Sequence, residues 1–425
     1  MKILTGKQFM EENSQSQRKT QRDEQLDQLV LEIIDQVRVK KDESLRAYTE
    51  QYDGVKVDDV VVSAAEFTEA RELVSPDFID ALHQAQENIQ SFHENQTEKS
   101  WFMNEKDGIL LGQKVSPLES VGIYVPGGKA AYPSTVLMNV IPAKLAGVPT
   151  IAISTPPQLD GKINPHVLVA AEIAGVTRVY KAGGAQAIAA LAYGTESVEK
   201  VVKIVGPGNA FVACAKKWVF GDVAIDMIAG PSEICVVADD TAIPRFAAAD
   251  LLSQAEHDER AIALCITTSE SFANALQAEI QTQIKTLERR AIIEQSIQGQ
   301  GRIILVDSLT EATELVNQLA PEHLQLMVDK PFEEMLSIKN AGAIFLGNYS
   351  PEALGDYVAG PNHTLPTSGT ATFSSPLGVY DFIKRSSIIQ YSKQALDQVS
   401  KDIMTLANAE GLTAHANSIK KRRGE

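Results

Sequence analysis

The segment from Val121 to Gly206 decides the fold, because short runs rich in β-branched residues alternate there with runs rich in alanine. In chain order these runs are VGIYV (121–125), STVLMNVIPAKLAG (134–147), TIAIST (150–155), HVLVAAEIAG (166–175), RVYKAG (178–183), AQAIAALAYG (185–194) and KVVKIVG (200–206). Strands that alternate with helices in this order build a parallel sheet that is covered by helices on both faces. The segment therefore predicts a doubly wound, Rossmann-like α/β domain.

A second series of strand-like and helix-like runs follows the first. Its strand-like runs are EICVVAD (233–239), AIALCITT (261–268), RIILVD (302–307) and AIFLG (343–347), and its helix-like runs are PRFAAADLLSQAEH (244–257), SFANALQAEIQTQI (271–284) and LTEATELVNQLA (309–320). We therefore predict two α/β domains, one inserted in the other. The expected boundaries are 1–20 for an N-terminal extension, 21–120 with 236–377 for a discontinuous first α/β domain, 121–235 for the inserted domain, and 378–425 for a helical C-terminal segment.

The N-terminal quarter of the chain is predicted to be helical. One helix face is indicated by the spacing of Leu26, Leu29, Val30, Ile33, Ile34 and Val37. Ser63 and Glu66 have the spacing of a capping box that opens a second helix. Residues 77–96 form a further amphipathic pattern, and we expect His83 and His93 to lie on the surface of that helix.

Composition and charge limit the classes of function. The 425 residues include 39 Lys and Arg against 55 Asp and Glu, so the net charge of −16 disfavours a nucleic-acid partner. The three cysteines, Cys214, Cys235 and Cys265, lie in apolar stretches without metal-binding spacing, and we expect them to be buried. The N-terminus lacks the pattern of a secretory signal, and no long apolar run predicts a membrane span. We therefore expect a cytoplasmic protein.

Glycine-rich turns follow several of the predicted strands of the first series. They are YVPGG (124–128), KAGGAQA (181–187) and GPGNAF (206–211). The full dinucleotide fingerprint G-x-G-x-x-G is absent from the sequence. Even so, the carboxyl edge of a parallel sheet is where α/β folds bind ligands, and helix N-termini at that edge suit a pyrophosphate.

Four polar pairs in the second half of the chain could carry chemistry. They are Gln254 with His257, Glu322 with His323, Asp356 with His363, and Glu410 with His415. Imidazole, carboxylate and carbonyl groups are suitable ligands for zinc, although Mn²⁺ or Co²⁺ could occupy the same donors. A glutamate beside a histidine can supply a general base and a general acid. The pairs together indicate a metal-dependent enzyme, provided that folding brings them into one site.

Long motifs across the chain resemble the histidinol dehydrogenase family. They are YVPGGKAAYPSTVL (124–137), GGAQAIAALAYGT (183–195), GPGNAFV (206–212), DMIAGPSEICVVADD with AAADLLSQAEH (226–257), PEHLQL (321–326), GDYVAGPNHTLPT (355–367) and EGLTAHANS (410–418). The resemblance covers nearly the whole chain. It implies an NAD-dependent alcohol and aldehyde dehydrogenase that oxidises L-histidinol to L-histidine, the last steps of histidine biosynthesis.

The resemblance also implies a role for individual residues. Glu322 and His323 would be catalytic, with His323 as general base and Glu322 as the group that activates water. One Zn²⁺ per subunit would be held by Gln254, His257, Asp356 and His415. The substrate would be bound by Ser232, His363 and Glu410 together with the four metal ligands and His323. The NAD site would be lined by Tyr124, Gln186 and Asn209.

The resemblance further implies a homodimer with shared active sites, in which the C-terminal segment 378–425 mediates dimerisation and Glu410 and His415 act on the partner's site. Three other functions remain open on the residues alone. A related zinc- and NAD-dependent dehydrogenase would oxidise another alcohol with the same metal and acid–base groups. A zinc hydrolase would need no nucleotide, and a metal-binding protein without catalysis would need no acid–base pair.

Overall fold

The computed structural model describes residues 1–17, 24–127 and 131–424, which form two compact units. The larger unit contains Met1–Gln96 and Leu118–Phe382, and the smaller unit contains Thr97–Pro117 and Ile383–Glu425. Residues 18–20 of the expected N-terminal extension and Gly128 of the YVPGG turn lie outside the described residues. Among the described helices, none has the length and apolar content that crossing a membrane requires.

Three sheets are built from the strands of the described residues. In chain order the strands are β1 (Lys2–Thr5), β2 (Trp101–Met103), β3 (Ile109–Pro117), β4 (Ser120–Tyr124), β5 (Thr150–Thr155), β6 (Arg178–Lys181), β7 (Lys203–Val205), β8 (Ala224–Ile225), β9 (Glu233–Ala238), β10 (Ile262–Thr267), β11 (Arg302–Leu305), β12 (His323–Met327), β13 (Ala343–Leu346) and β14 (Ile383–Tyr391).

The α-helices of the described residues connect and cover these strands. In chain order they are α1 (Gly6–Gln17), α2 (Glu24–Lys40), α3 (Asp42–Asp53), α4 (Ala64–Leu73), α5 (Pro76–Glu94), α6 (Pro133–Leu145), α7 (Pro165–Ala174), α8 (Gly184–Tyr193), α9 (Ala210–Val219), α10 (Pro244–Ala255), α11 (Glu270–Gln283), α12 (Arg290–Gly299), α13 (Leu309–Leu319), α14 (Pro331–Met335), α15 (Glu352–Tyr357), α16 (Lys393–Ala409) and α17 (Thr413–Arg423).

A six-stranded, fully parallel sheet in the larger unit has the order β1-β11-β10-β9-β12-β13. Every residue of β9 is buried, as expected for a central strand that has helices on both faces. Leu251, Phe272 and Ile293 pack on one face from α10, α11 and α12. Phe9 and Leu315 pack on the other face from α1 and α13. This arrangement confirms the prediction of a doubly wound α/β fold.

A five-stranded parallel sheet in the same unit has the order β6-β5-β4-β7-β8, which also confirms the predicted α/β architecture. Its faces are covered not only by α6 to α9 but also by α2 to α5. Ile33 of α2 packs with Tyr180 in one cluster, and Leu82 of α5 packs with Val136 in another. The N-terminal helices therefore pack on both faces of this sheet.

The expected domain boundaries differ from this packing in two places. Residues 21–120 are predicted to belong to the domain that contains 236–377, but the core residues of α2 to α5 pack against the five-stranded sheet instead. An apolar stripe shows which helix face is buried and carries no information about the partner of that face. Likewise, the expected extension 1–20 contains β1, which pairs with β11 and adds a strand to the six-stranded sheet.

Local predictions for the N-terminal helices can be checked directly. The capping box is confirmed, because Ser63 Oγ accepts from the Glu66 N–H and Glu66 accepts from the Ser63 N–H. The apolar stripe of α2 is also confirmed, with Val30, Ile33, Ile34 and Val37 buried. The prediction for His93 is wrong, because this side chain is fully buried and bonds through Nδ1 to Gln96 Oε1 at 2.7 Å.

The smaller unit contains a three-stranded antiparallel sheet in the order β14-β3-β2, followed by α16 and α17. The sequence predicts only helices after Gly378, so β14 is a strand that the prediction lacks. Its sequence IKRSSIIQY alternates weakly, and its side chains are half-buried or exposed. A strand of this kind lacks the apolar run that identified the strands of the parallel sheets.

Candidate active site

The main chain of Glu233 joins two predicted catalytic residues. Glu233 opens β9, and the adjacent parallel strand β12 begins at His323, which pairs in register with Ile234. The Glu233 N–H donates to Glu322 Oε2 at 2.8 Å, and the Glu233 carbonyl lies 3.0 Å from His323 Nδ1. Since a carbonyl only accepts, Nδ1 must carry the proton in this bond. The sheet itself therefore fixes the orientation of both side chains.

His323 is held as a neutral imidazole with Nε2 available as a base. Burial lowers the pKa of this histidine, although the Asp356 carboxylate and the bond to Glu233 act in the opposite direction. Nε2 is buried and has no hydrogen-bond partner within the described residues. It lies 3.9 Å from Asp356 Oδ1 and 4.0 Å from Glu352 Oε1. The unprotonated nitrogen thus faces a cluster of potential metal ligands.

That cluster consists of His257, Glu352 and Asp356, whose potential ligand atoms lie within 4.8 Å of one another. His257 follows the C-terminus of α10, whereas Glu352 and Asp356 both project from the short helix α15. Gln254 is fully buried in the last turn of α10. Its side-chain oxygen faces the carboxylate of Glu352, an arrangement of two acceptors that suits a shared cation.

The electrostatics of this region favour a bound cation or shared protons. Burial raises the pKa of Glu322 and of Glu352 well above the ordinary glutamate value, and it raises the pKa of Asp250 to about 6. Within the described part of the chain, none of these three carboxylates forms an ion pair with Lys or Arg. Buried carboxylates of this kind are normally paired or bound to a metal. The nitrogen and oxygen donors present here fit Zn²⁺, and they also fit Mn²⁺ or Co²⁺.

Two further expected substrate contacts, Ser232 and His363, also lie in the larger unit. His363 is nearly buried, and its Nδ1 lies 3.1 Å from the carbonyl of Asp356 while Nε2 lies 3.2 Å from Thr135 Oγ1. Burial lowers the pKa of His363, so this ring is neutral as well. Ser232 directly precedes β9, and its carbonyl accepts from the Ile262 N–H at 2.9 Å. Both residues are therefore tied to the elements that hold His323 and Asp356.

The other two expected residues lie in the smaller unit. Glu410 caps the C-terminus of α16, and His415 lies in the first turn of α17. Both side chains are exposed in the single chain. Gln254, His257 and Asp356 therefore lie in the larger unit, whereas His415, the fourth expected zinc ligand, lies in the smaller unit. The roles of all these residues stay predictions.

The three expected NAD contacts follow strands of the five-stranded sheet at its carboxyl edge. Tyr124 ends β4, and its hydroxyl oxygen accepts from the Gly184 N–H at 3.0 Å. Gln186 lies in the first turn of α8, and its Nε2 is buried without a partner among the described residues. Asn209 caps α9 by accepting from the N–H groups of Phe211 and Val212. These positions agree with ligand binding at this edge.

Sequence reasoning missed Glu352 and Glu233. Glu352 is only 2% exposed and belongs to the candidate metal cluster. Its spacing of four residues from Asp356 places both on one helix face, so the pair could have been identified in PEALGDY. The contribution of Glu233 comes from its main chain and therefore has no sequence signal. Its side chain is buried as well, with Oε1 accepting from the Ser368 N–H at 2.9 Å.

We expect Glu233→Gln to stabilise the metal-free protein much more at about pH 8 than at about pH 5. Burial raises the pKa of Glu233 from 4.5 to about 7, so its ionisation costs stability increasingly as the pH rises through this range. Full ionisation would correspond to about 3 kcal/mol, and glutamine keeps the acceptor for Ser368. Chemical denaturation after chelation measures this difference in the free energy of unfolding.

The exposed Glu288→Gln is the matched control, because it removes the same charge from the surface. A gain of equal size for Glu233→Gln at both pH values would contradict the burial of an ionisable carboxylate at this position.

Comparisons with known proteins point to one family. The family model described as histidinol dehydrogenase matches residues 16–423. The histidinol dehydrogenase of Oceanobacillus iheyensis is 57% identical over 423 residues, covering 100% of this chain and 99% of that protein. That of Bacillus subtilis is 52% identical over 419 residues, covering 99% and 96%. The crystal structure of histidinol dehydrogenase from Elizabethkingia anophelis has a TM-score of 0.91 and 40% identity, covering 95% of this chain and 94% of that one. The chain described here belongs to the histidinol dehydrogenase family.

Proposed function

We propose that this protein catalyses the zinc-dependent, NAD⁺-linked oxidation of L-histidinol, through L-histidinaldehyde, to L-histidine. The observation that carries the proposal is the neutral His323, whose unprotonated Nε2 faces the cluster of His257, Glu352 and Asp356. A base directed at a metal cluster suits the removal of a proton from an alcohol held there. Membership of the histidinol dehydrogenase family supplies the identity of that alcohol.

Nε2 of His323 takes the hydroxyl proton of the substrate, while hydride passes to NAD⁺ from the carbon that bears this hydroxyl. The bond from Nδ1 to the Glu233 carbonyl persists during this transfer and stabilises the imidazolium that forms. The nearby carboxylate of Asp356 favours the same charged state. The sheet thereby supplies both the correct tautomer before the step and charge stabilisation after it.

Glu322 acts in the second oxidation, in which water adds to the aldehyde carbon. Its Oε2 is fixed by the Glu233 N–H, and we assign the removal of the water proton to Oε1. Burial raises the pKa of Glu322 well above the usual range, which makes its carboxylate a stronger base than an exposed one. A second hydride then passes from the carbon of the hydrated aldehyde to a second NAD⁺, and the resulting carboxylic acid loses its proton to solvent to give the carboxylate of L-histidine.

Zinc, when bound, would act as a Lewis-acid template that orients the imidazole and the amine of the substrate. We assign Gln254, His257 and Asp356 of one subunit and His415 of the partner subunit as its ligands. Ser232, His363 and Glu410 would contact the substrate. We further propose that the protein is a homodimer in the cytoplasm. The exposure of His415 in the single chain supports a shared site, and the three buried, free cysteines suit a reducing compartment.

The yield of NADH tests the proposed reaction. Because an alcohol loses four electrons on becoming a carboxylate and each NAD⁺ takes two, we expect about two NADH per L-histidinol consumed. Chelation should abolish the reaction, and added Zn²⁺ should restore it. Absence of NADH with L-histidinol and zinc present would reject this substrate, and a panel of other alcohols would then identify the correct one.

Replacing Glu322 by Gln tests the division of labour between the two bases. We expect the oxidation of L-histidinaldehyde to slow by about 10²–10⁴-fold, the usual contribution of a general base, while the oxidation of L-histidinol to the aldehyde slows much less. Single-turnover kinetics with each substrate separate the two steps. Equal losses in both would show that Glu322 does not serve the second step alone.

Complementation tests the shared site. A His415→Ala chain and a His323→Ala chain are each expected to be inactive as homodimers. In mixed dimers one site contains both defects and the other contains neither, so activity should return to about half of the wild-type value if His415 acts across the interface. No recovery in mixed dimers verified by mass spectrometry would place His415 in the site of its own chain.

A further inference from the structure

A cavity of about 740 Å³ opens at the carboxyl edge of the five-stranded sheet, away from the predicted catalytic groups. Its walls include Pro126 after β4, Thr155 at the end of β5, Asn164 at the start of α7, and Asp53 at the end of α3. None of the predicted substrate or metal residues lines it. The cavity is therefore separate from the predicted substrate and metal residues.

Strand order indicates which part of a dinucleotide would lie there. Counted along the chain from β4, the sheet order β6-β5-β4-β7-β8 reads three, two, one, four, five, so the winding reverses between β4 and β7. Sheets with this order bind one mononucleotide half on each side of the reversal. The cavity adjoins β4 and β5, whereas Asn209 follows β7 on the other side. The side of β4 and β5 is where such sheets bind the adenosine half.

Asp53 is poorly stabilised by the rest of the chain. It is the last residue of α3, where the helix dipole disfavours a negative charge, and the last turn contains no basic residue. Its Oδ2 is buried and makes no hydrogen bond with any part of the chain that the structure describes. Burial raises the pKa of Asp53 to about 6. A carboxylate in this setting requires donors that the described residues do not supply.

We propose that Asp53 binds the ribose hydroxyls of the adenosine half of NAD⁺ in this cavity and thereby selects NAD⁺ over NADP⁺. The proposal rests on the NAD⁺-linked activity proposed above and adds the residue that determines cofactor specificity. A carboxylate has two oxygens, which match the two vicinal hydroxyls of a ribose. Oδ2 would gain from the ligand the donor that it lacks.

The charges around the cavity disfavour the phosphorylated cofactor. NADP⁺ carries a phosphate in place of the 2′-hydroxyl, which would lie against Asp53 in a partly desolvated space. Asp160 also lines the cavity and adds a second negative charge, whereas NADP⁺ sites normally provide a cation for the phosphate. Discrimination between NAD⁺ and NADP⁺ thus follows from an attractive contact of Asp53 with the 2′-hydroxyl and a repulsive one with the 2′-phosphate.

Calorimetric titration with NAD⁺, 2′-deoxy-NAD⁺ and NADP⁺ tests the proposal without any turnover. The wild type should bind NAD⁺ more tightly than either analogue by about tenfold or more, the effect of one hydrogen bond to a charged acceptor. In Asp53→Asn the preference over both analogues should shrink severalfold. Asp58→Asn is the matched control, since this exposed residue lies outside the cavity and loses the same charge.

The unfolding temperature of the ligand-free variant provides a second readout. Because the raised pKa makes ionised Asp53 a cost to the folded state above about pH 6, Asp53→Asn should be at least as stable as the wild type near neutral pH. A clear loss of stability would mean that Asp53 has a structural partner and would overturn the proposal. An unchanged preference for NAD⁺ over both analogues in Asp53→Asn would overturn it too.

These outcomes are separable from a failure of the proposed reaction. If L-histidinol gives no NADH but the binding preferences depend on Asp53 as expected, the substrate assignment fails and the cofactor assignment stands. If L-histidinol gives NADH and the binding preferences do not depend on Asp53, the assignment of Asp53 fails and the substrate assignment stands.

Discussion

The contact between the main chain of Glu233 and the side chains of Glu322 and His323 is the constraint on which the candidate site depends. It is a direct product of parallel strand pairing, because β9 and β12 lie side by side with His323 opposite Ile234. The Glu233 N–H donates to Glu322, and the Glu233 carbonyl accepts from His323. Glu322 is therefore held as an acceptor and His323 as a donor. The proposed acid–base groups are therefore positioned by two adjacent strands inside the six-stranded sheet.

A second consequence of this placement is electrostatic. Glu322 and Glu352 lie close to His323 and Asp356 in a buried region, Asp250 lies near Glu352, and burial raises the pKa of each of these three acids. Such a cluster is unfavourable in a folded protein unless a cation or shared protons compensate the charge. Metal binding would lower this cost, so the same side chains that weaken the metal-free fold would stabilise the loaded one. Metal binding would therefore link site assembly to fold stability.

Sequence patterns gave the two α/β series, the capping box at Ser63 and the stripe of α2, because each depends on residues close together along the chain. They missed β12, whose run HLQLM mixes polar and apolar residues although every one of them is buried. They also missed the packing partner of α2 to α5, since a stripe does not identify what covers it. The prediction that His93 is exposed was wrong. His93 lies four residues after the buried Ile89 on the same helix face, and this spacing indicates that it is buried too.

The candidate site was predictable mainly through the resemblance, since the four polar pairs alone left several functions open. The contacts made by the main chain of Glu233 could come only from the structure. Nitrogen-15 NMR of the metal-free protein, with the His323 signals assigned from the spectrum of His323→Gln, tests that contact most directly. Near neutral pH we expect a neutral imidazole with the proton on Nδ1 and a lone pair on Nε2. A proton on Nε2, in either the other tautomer or an imidazolium, would contradict the account.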